Sequence, residues 1–143
     1  MNNVKPRIER IHVSVPVKLS LLWASLLSFY IYNDYLLFFM PGQIEGMNAG
    51  SFGPFGEVTD LKLLAVAAFL AIPISMIFLS SILPSSVSRW LNMIIGPIHG
   101  ISNALTLLPF FTAPLFFKFI VSIEIIVTLL ILWTAARWPK QDG

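Results

Sequence analysis

Three ionisable side chains sit in stretches otherwise built for lipid: Asp34 in FYIYNDYLLFF, His99 in MIIGPIHGISNAL and Glu124 in FIVSIEIIVTLL. A charged group at such depth costs several kcal/mol unless it is paired, neutralised or reached by water. Together, two carboxyl groups and an imidazole could hold a small cation, pass protons, or act as an acid–base pair on a lipid-like substrate.

His99 belongs to a wider pattern. Asn92, Gly96, His99, Asn103 and Thr106 recur at spacings of 4, 3, 4 and 3 residues, which puts them on one helical face. Hydrocarbon offers such groups no hydrogen-bonding partner, so the stripe must face other helices or water. Gly96 and Gly100 add a small-xxx-small pair that lets a neighbouring helix approach closely. Glu124 has Thr128 one turn further along its face, and Asp34 has Tyr30 one turn back.

The elements that must position these residues are membrane spans. Of the 143 residues 57% are hydrophobic and 11% charged, against roughly 25% charged in a soluble domain. Mean hydropathy is +0.83, with the apolar residues gathered into long runs. A polar, basic segment covers residues 1–17, and spans are expected at about 19–40, 61–83, 89–109 and 115–136 within a membrane domain of residues 18–138. The first apolar run follows a basic start, as a signal peptide would. It is too long for one, carries Tyr30, Tyr32, Asn33 and Asp34, and reads as a retained span.

Residues 41–60 form a Gly-rich external loop holding five of the eight glycines. It is either a flexible connector or, through Met47, Phe52 and Phe55, a lid over a cavity mouth. Pro84 with Ser85, Ser86 and Ser88 makes a tight turn with a serine available as helix cap, and Pro109 and Pro114 bracket another. Pro73 and Pro97 are expected to kink their helices by withholding an N–H from the carbonyls of Phe69 and Met93. Residues 139–143 form a short tail.

Charge sets the orientation. With the amino terminus in the cytoplasm, Lys5, Arg7, Arg10, Lys18, Arg89, Arg137 and Lys140 lie inside and only Lys62 and Lys118 outside, a bias of seven to two. The fold class is therefore an all-α membrane protein: an up-down-up-down bundle of four transmembrane helices in the cell membrane, with both termini cytoplasmic. Arg89 and Trp90, like Trp133 and Trp138, read as interface anchors, Lys118 as a residue that snorkels outward, and His12 as solvated.

In that arrangement Asp34, His99, Asn103 and Glu124 lie at overlapping depths between the midplane and the outer leaflet. The expected partner of Asp34 is His99, Asn103 or both, with Glu124 at the deeper edge. A protonated His99 between two carboxylates would offset much of the burial penalty. The candidate ligand-binding or proton-relay residues are Tyr30, Asp34, Asn92, His99, Asn103 and Glu124.

Other chemistries lack their residues. There is no cysteine, which removes disulfides, thiolate catalysis and Cys-based metal sites. No nucleophile elbow, phosphate loop or metal-ligand spacing occurs, so no metal or cofactor is expected. The net charge of +2 includes no basic block dense enough for nucleic acid.

The series Tyr32-x-Asp34, Pro73-Ile74-Ser75-Met76, Arg89-Trp90-x-Asn92, Gly96-x-x-His99, Glu124 and Trp133 resembles a group of small bacterial four-span membrane proteins classed only as a domain of unknown function. The resemblance covers residues 18–138 and implies a fold without a reaction. Three functions remain open. The first is binding or transport of a small molecule or proton at the polar cluster, for which so few helices would work as a homodimer. The second is a structural or accessory subunit. The third is an intramembrane enzyme on a lipid-like substrate, using His99 with a carboxylate.

Overall fold

The computed structural model describes residues 12–108 and 113–138. Within them the chain is all-helical: α1 (Val15–Leu37), α2 (Gln43–Asn48), α3 (Asp60–Ile82), α4 (Ser85–Thr106) and α5 (Leu115–Ala136). A 3-10 turn at Gly53–Phe55 and one isolated bridge between Ser51 and Glu57 complete the connector, and no strand occurs among the described residues. The segment 1–11, Pro109 and the tail 139–143 lie outside the described residues, as do the charges of Lys5, Arg7, Arg10 and Lys140.

α1, α3 and α5 are each long and apolar enough to cross a membrane. α4 has a similar length, 22 residues, but its composition is mixed. The distribution of that mixture is inverted relative to a soluble helix. Ser88, Asn92, Gly96, His99 and Asn103 are buried, whereas Trp90, Ile94, Ile98, Ile101 and Leu105 are exposed. The other long helices also turn large apolar side chains outward, among them Leu64, Phe78, Leu115, Phe119 and Leu129. An apolar surface of this extent needs a lipid neighbour, not water.

The four long helices form a closed ring in which α1 and α4 each pack against both α3 and α5. Their buried positions recur at three and four residues: Leu19, Trp23, Leu26 and Asn33 on α1; Pro73, Met76 and Ser80 on α3; Glu124, Val127, Thr128, Ile131 and Ala135 on α5. The apolar core joins Leu19, Trp23, Leu26, Met76, Val127, Ile131 and Ala135.

α4 and α5 make the closest approach. A methyl group placed on Gly96 would lie 3.1 Å from Leu132 Cδ2, and one on Gly100 would lie 2.9 Å from Thr128 Cγ2. Both glycines are therefore occupied by α5 side chains, and any larger residue displaces them.

Several boundaries differ from the sequence reading. α1 starts at Val15, because Pro16 in the first turn gives up only an N–H that would lack a partner there anyway. It ends at Leu37, so Phe38, Phe39 and Met40 belong to the connector. The connector is folded: α2 starts after Gly42 (φ 79°), and the Lys62 ammonium donates to the carbonyls of Phe55 and Glu57, both at 2.7 Å. A six-residue helix is too short to show its period in the sequence.

No serine side chain caps α4, whose first residue follows Pro84. Ser88 Oγ instead donates to the carbonyl of Ser80 at 2.9 Å, satisfying one of the last acceptors of α3. α3 and α4 continue as α-helix through Pro73 and Pro97.

The Gly100 contact generates a test. Gly100→Ala should lower the thermal unfolding midpoint in detergent through an overpacking cost of about 1–3 kcal/mol. Adding Thr128→Ser removes the obstructing methyl but keeps the hydroxyl that donates to the Glu124 carbonyl at 2.8 Å, and should restore most of the loss. An unchanged midpoint for Gly100→Ala would mean that the two helices separate freely at this point.

Candidate functional site

The site is built where side chains of α1 and α4 meet across the centre of the ring. Trp23 reaches Asn92 and Tyr30 reaches His99, the partners being 69 residues apart in both pairs. Seven residues nearly complete two turns, so each helix presents both of its residues on one face. The result is a polar column along the bundle axis, with two unlike halves.

Near the α3–α4 turn the column is saturated. Trp23 Nε1 donates to Asn92 Oδ1 at 2.7 Å. Asn92 Nδ2 donates to the Ser88 carbonyl at 2.8 Å and to Ser80 Oγ at 3.3 Å. With both amide hydrogens and the amide oxygen used, Asn92 is fully paired inside a dry core.

In the other half, Asn103 Nδ2 donates to the Tyr30 hydroxyl at 3.1 Å, and that hydroxyl lies 3.3 Å from His99 Nδ1. The pattern that leaves none of these groups idle has the phenol accepting from Asn103 and donating to Nδ1, which places the imidazole hydrogen on Nε2. His99 is completely buried among rings: Trp23 edge-on at 5.8 Å between centroids, Phe69 at 4.3 Å and Tyr30 stacked at 6.2 Å. Its Nε2 has no partner.

Beyond Tyr30 a cavity of about 160 Å³ opens among α1, α3, α4 and α5. Tyr30, Asn33, Asp34, Asn103, Thr106 and Glu124 form its polar lining, and Phe69, Leu70, Phe117 and Val121 its apolar lining. Glu124 is 2% exposed, yet Oε1 has no hydrogen-bond partner. Asn33 is 5% exposed and its Oδ1 is unpartnered too. Asp34 is exposed at the rim. Thr128, one turn from Glu124, does not serve the carboxylate, because its hydroxyl is spent on the Glu124 backbone carbonyl.

The structure thus gathers four of the six candidate residues, Tyr30, Asp34, Asn103 and Glu124, around one cavity. His99 stands behind Tyr30 rather than in the lining, and Asn92 belongs to the saturated half. The expected pairing of Asp34 with His99 or Asn103 is not what forms: Tyr30 takes both partners. A phenol projects further from its helix than a carboxylate, so it spans the ring while Asp34 stays at the rim. No protonated imidazole lies between the two carboxylates either, since His99 faces aromatic rings.

Sequence reasoning left out Trp23 and Asn33 as site-forming residues. Both carried a signal, since Leu19, Trp23, Leu26, Tyr30 and Asn33 repeat at 4, 3, 4 and 3 residues, the same period used on α4. Arg89, read as a headgroup anchor, donates from Nη2 to the carbonyl of Ala136 at 3.2 Å and so caps the end of α5. Its Nε has no partner. Lys118 is exposed, and no residue of the connector lines the cavity. Among the described residues no three His, Asp or Glu side chains are grouped to hold a metal ion.

The two halves should respond differently to substitution. Asn92→Leu strands the Trp23 indole and the Ser80 hydroxyl, and should cost about 1–3 kcal/mol of stability in detergent. Glu124→Gln removes no bond from its unpartnered oxygen and should leave the unliganded unfolding midpoint near that of the wild type. Equal losses in both variants would show that the carboxylate is tied into the bundle as firmly as the Asn92 amide.

No curated protein and no solved structure matches the chain. The model of the family of unknown function DUF6326 matches residues 8–143, and the chain belongs to that family.

Proposed function

We propose that the chain is a four-span protein of the cell membrane, with α1, α3, α4 and α5 alternating in direction and both termini cytoplasmic, and that it binds or transports a small molecule at the Glu124 cavity. Contacts along the helices support the alternation. Trp23–Asn92 and Tyr30–His99 advance together along α1 and α4, whereas Gly96–Leu132 and Gly100–Thr128 advance oppositely along α4 and α5. The inverted face of α4 supports its placement in lipid with the others. The basic bias among the described residues, Lys18, Arg89 and Arg137 against Lys62 and Lys118, points the same way as the full count.

One observation carries the functional reading: Glu124, a buried residue with a carboxyl oxygen that has no partner, lines a cavity. Retaining such a group costs stability, and structural glue would be paired, as Asn92 is. Passage of protons through the whole bundle is less well supported. Trp23 stands between the two halves of the column, and an indole N–H donates but does not accept. The accessory-subunit reading draws on the saturated half alone. The enzymatic reading draws on His99, whose ring is screened from the cavity by Tyr30. Transport, as opposed to binding, would call for a homodimer of so small a bundle.

Because the chain has no cysteine, topology can be read from single cysteines without prior substitution. Met47→Cys should react with a membrane-impermeant maleimide on intact cells and Ser86→Cys only after permeabilisation; the reverse pattern inverts the orientation. For function, flux or binding of small polar solutes in proteoliposomes should be lost in Glu124→Gln and reduced in Asp34→Asn. Unchanged behaviour in both variants disposes of the cavity as the site.

A further inference from the structure

Resting on that reading, the geometry points to the class of ligand: a small organic monocation, an alkylammonium of roughly half a dozen heavy atoms, with its charged head between Glu124, Asp34 and Asn33 Oδ1. Size sets the first limit. A cavity of about 160 Å³ is close to the volume, about 150 Å³, that takes up benzene in an engineered protein core.

Charge and hydrogen-bonding capacity set the second. Among the described residues the polar lining holds two carboxyl groups and no Lys, Arg or His. Two of the lining residues, Glu124 and Asn33, each carry a buried oxygen without a partner, and an oxygen asks for a donor. An ammonium brings up to three N–H donors and a positive charge. An alcohol brings one donor and no charge, and an anion brings neither donors nor the right sign.

The rest of the lining favours an organic body. Among the described residues no three His, Asp or Glu side chains are grouped to hold a metal ion. The lining also includes Phe69, Leu70 and Phe117, side chains that reward a hydrocarbon body and give nothing to a bare ion. Tyr30 and Phe69 belong to the lining as well, and aromatic rings suit an ammonium ligand.

Calorimetric titration of the purified full chain in detergent, with n-pentylammonium, n-pentanol and pentanoate, tests the assignment. Glu124→Gln serves as the reference for partition into the micelle. Saturable heat for n-pentylammonium alone, about ten- to a hundredfold weaker in Glu124→Gln, is expected.

Pentanol or pentanoate binding as tightly as the amine would leave a ligand cavity in place and overturn the cationic assignment. Absence of saturable heat for all three would remove the binding reading with it. Should Glu124→Gln prove poorly folded by its unfolding midpoint, Asp34→Asn decides, because Asp34 is at the exposed rim and its substitution leaves the core untouched. Full affinity for the amine in Asp34→Asn then overturns the assignment.

Discussion

The fold depends on one constraint: a hydrogen-bonding group on a helix in hydrocarbon has nowhere to turn except another helix. α4 packs against helices apolar enough to cross a membrane and meets the same constraint, with Ser88, Asn92, His99 and Asn103 all on its buried side. Turning this side inward fixes the rotation of α4. It also demands that α1 present groups able to answer at matching heights, which Trp23 and Tyr30 do. The packing of α5 follows, since with the polar side facing the centre Gly96 and Gly100 meet Leu132 and Thr128.

Trp23 divides the polar column on the bundle axis into two chemical regimes. On one side of it, the indole, Asn92, Ser80 and Ser88 satisfy one another and exclude solvent. On the other, Glu124, Asn33 and His99 each keep a buried polar atom without a partner. α1 and α4 supply both regimes, joined by Ser80 of α3 in the first and by Glu124 of α5 in the second. The difference arises because Trp23, Ser80 and Ser88 close around Asn92, whereas beyond Tyr30 the ring leaves a cavity that the protein's own side chains do not fill.

Much of the helical layout was legible because lipid imposes long apolar runs and because polar residues must repeat with the helical period. The stripe on α4 was read from spacing alone. The Asp34 contacts were not, since periodicity gives the face of a helix but not the reach of a side chain, and Tyr30 outreaches Asp34 across the ring. Trp23 and Asn33 were missed because attention to ionisable groups passed over an indole and an amide on the same heptad face. Arg89 escaped for another reason. Its partner is the Ala136 carbonyl, an orphan group of a helix end 47 residues away, which no local pattern announces.

The inverted composition of α4 also bears on how the protein is made. On the four-span topology this helix is the least able to leave the translocon for lipid by itself, because Asn92, His99 and Asn103 would enter hydrocarbon bare. α5 is its most extensive neighbour and follows it immediately in the chain. On that topology α4 would enter the bilayer most readily together with α5, as a hairpin packed against α1 and α3.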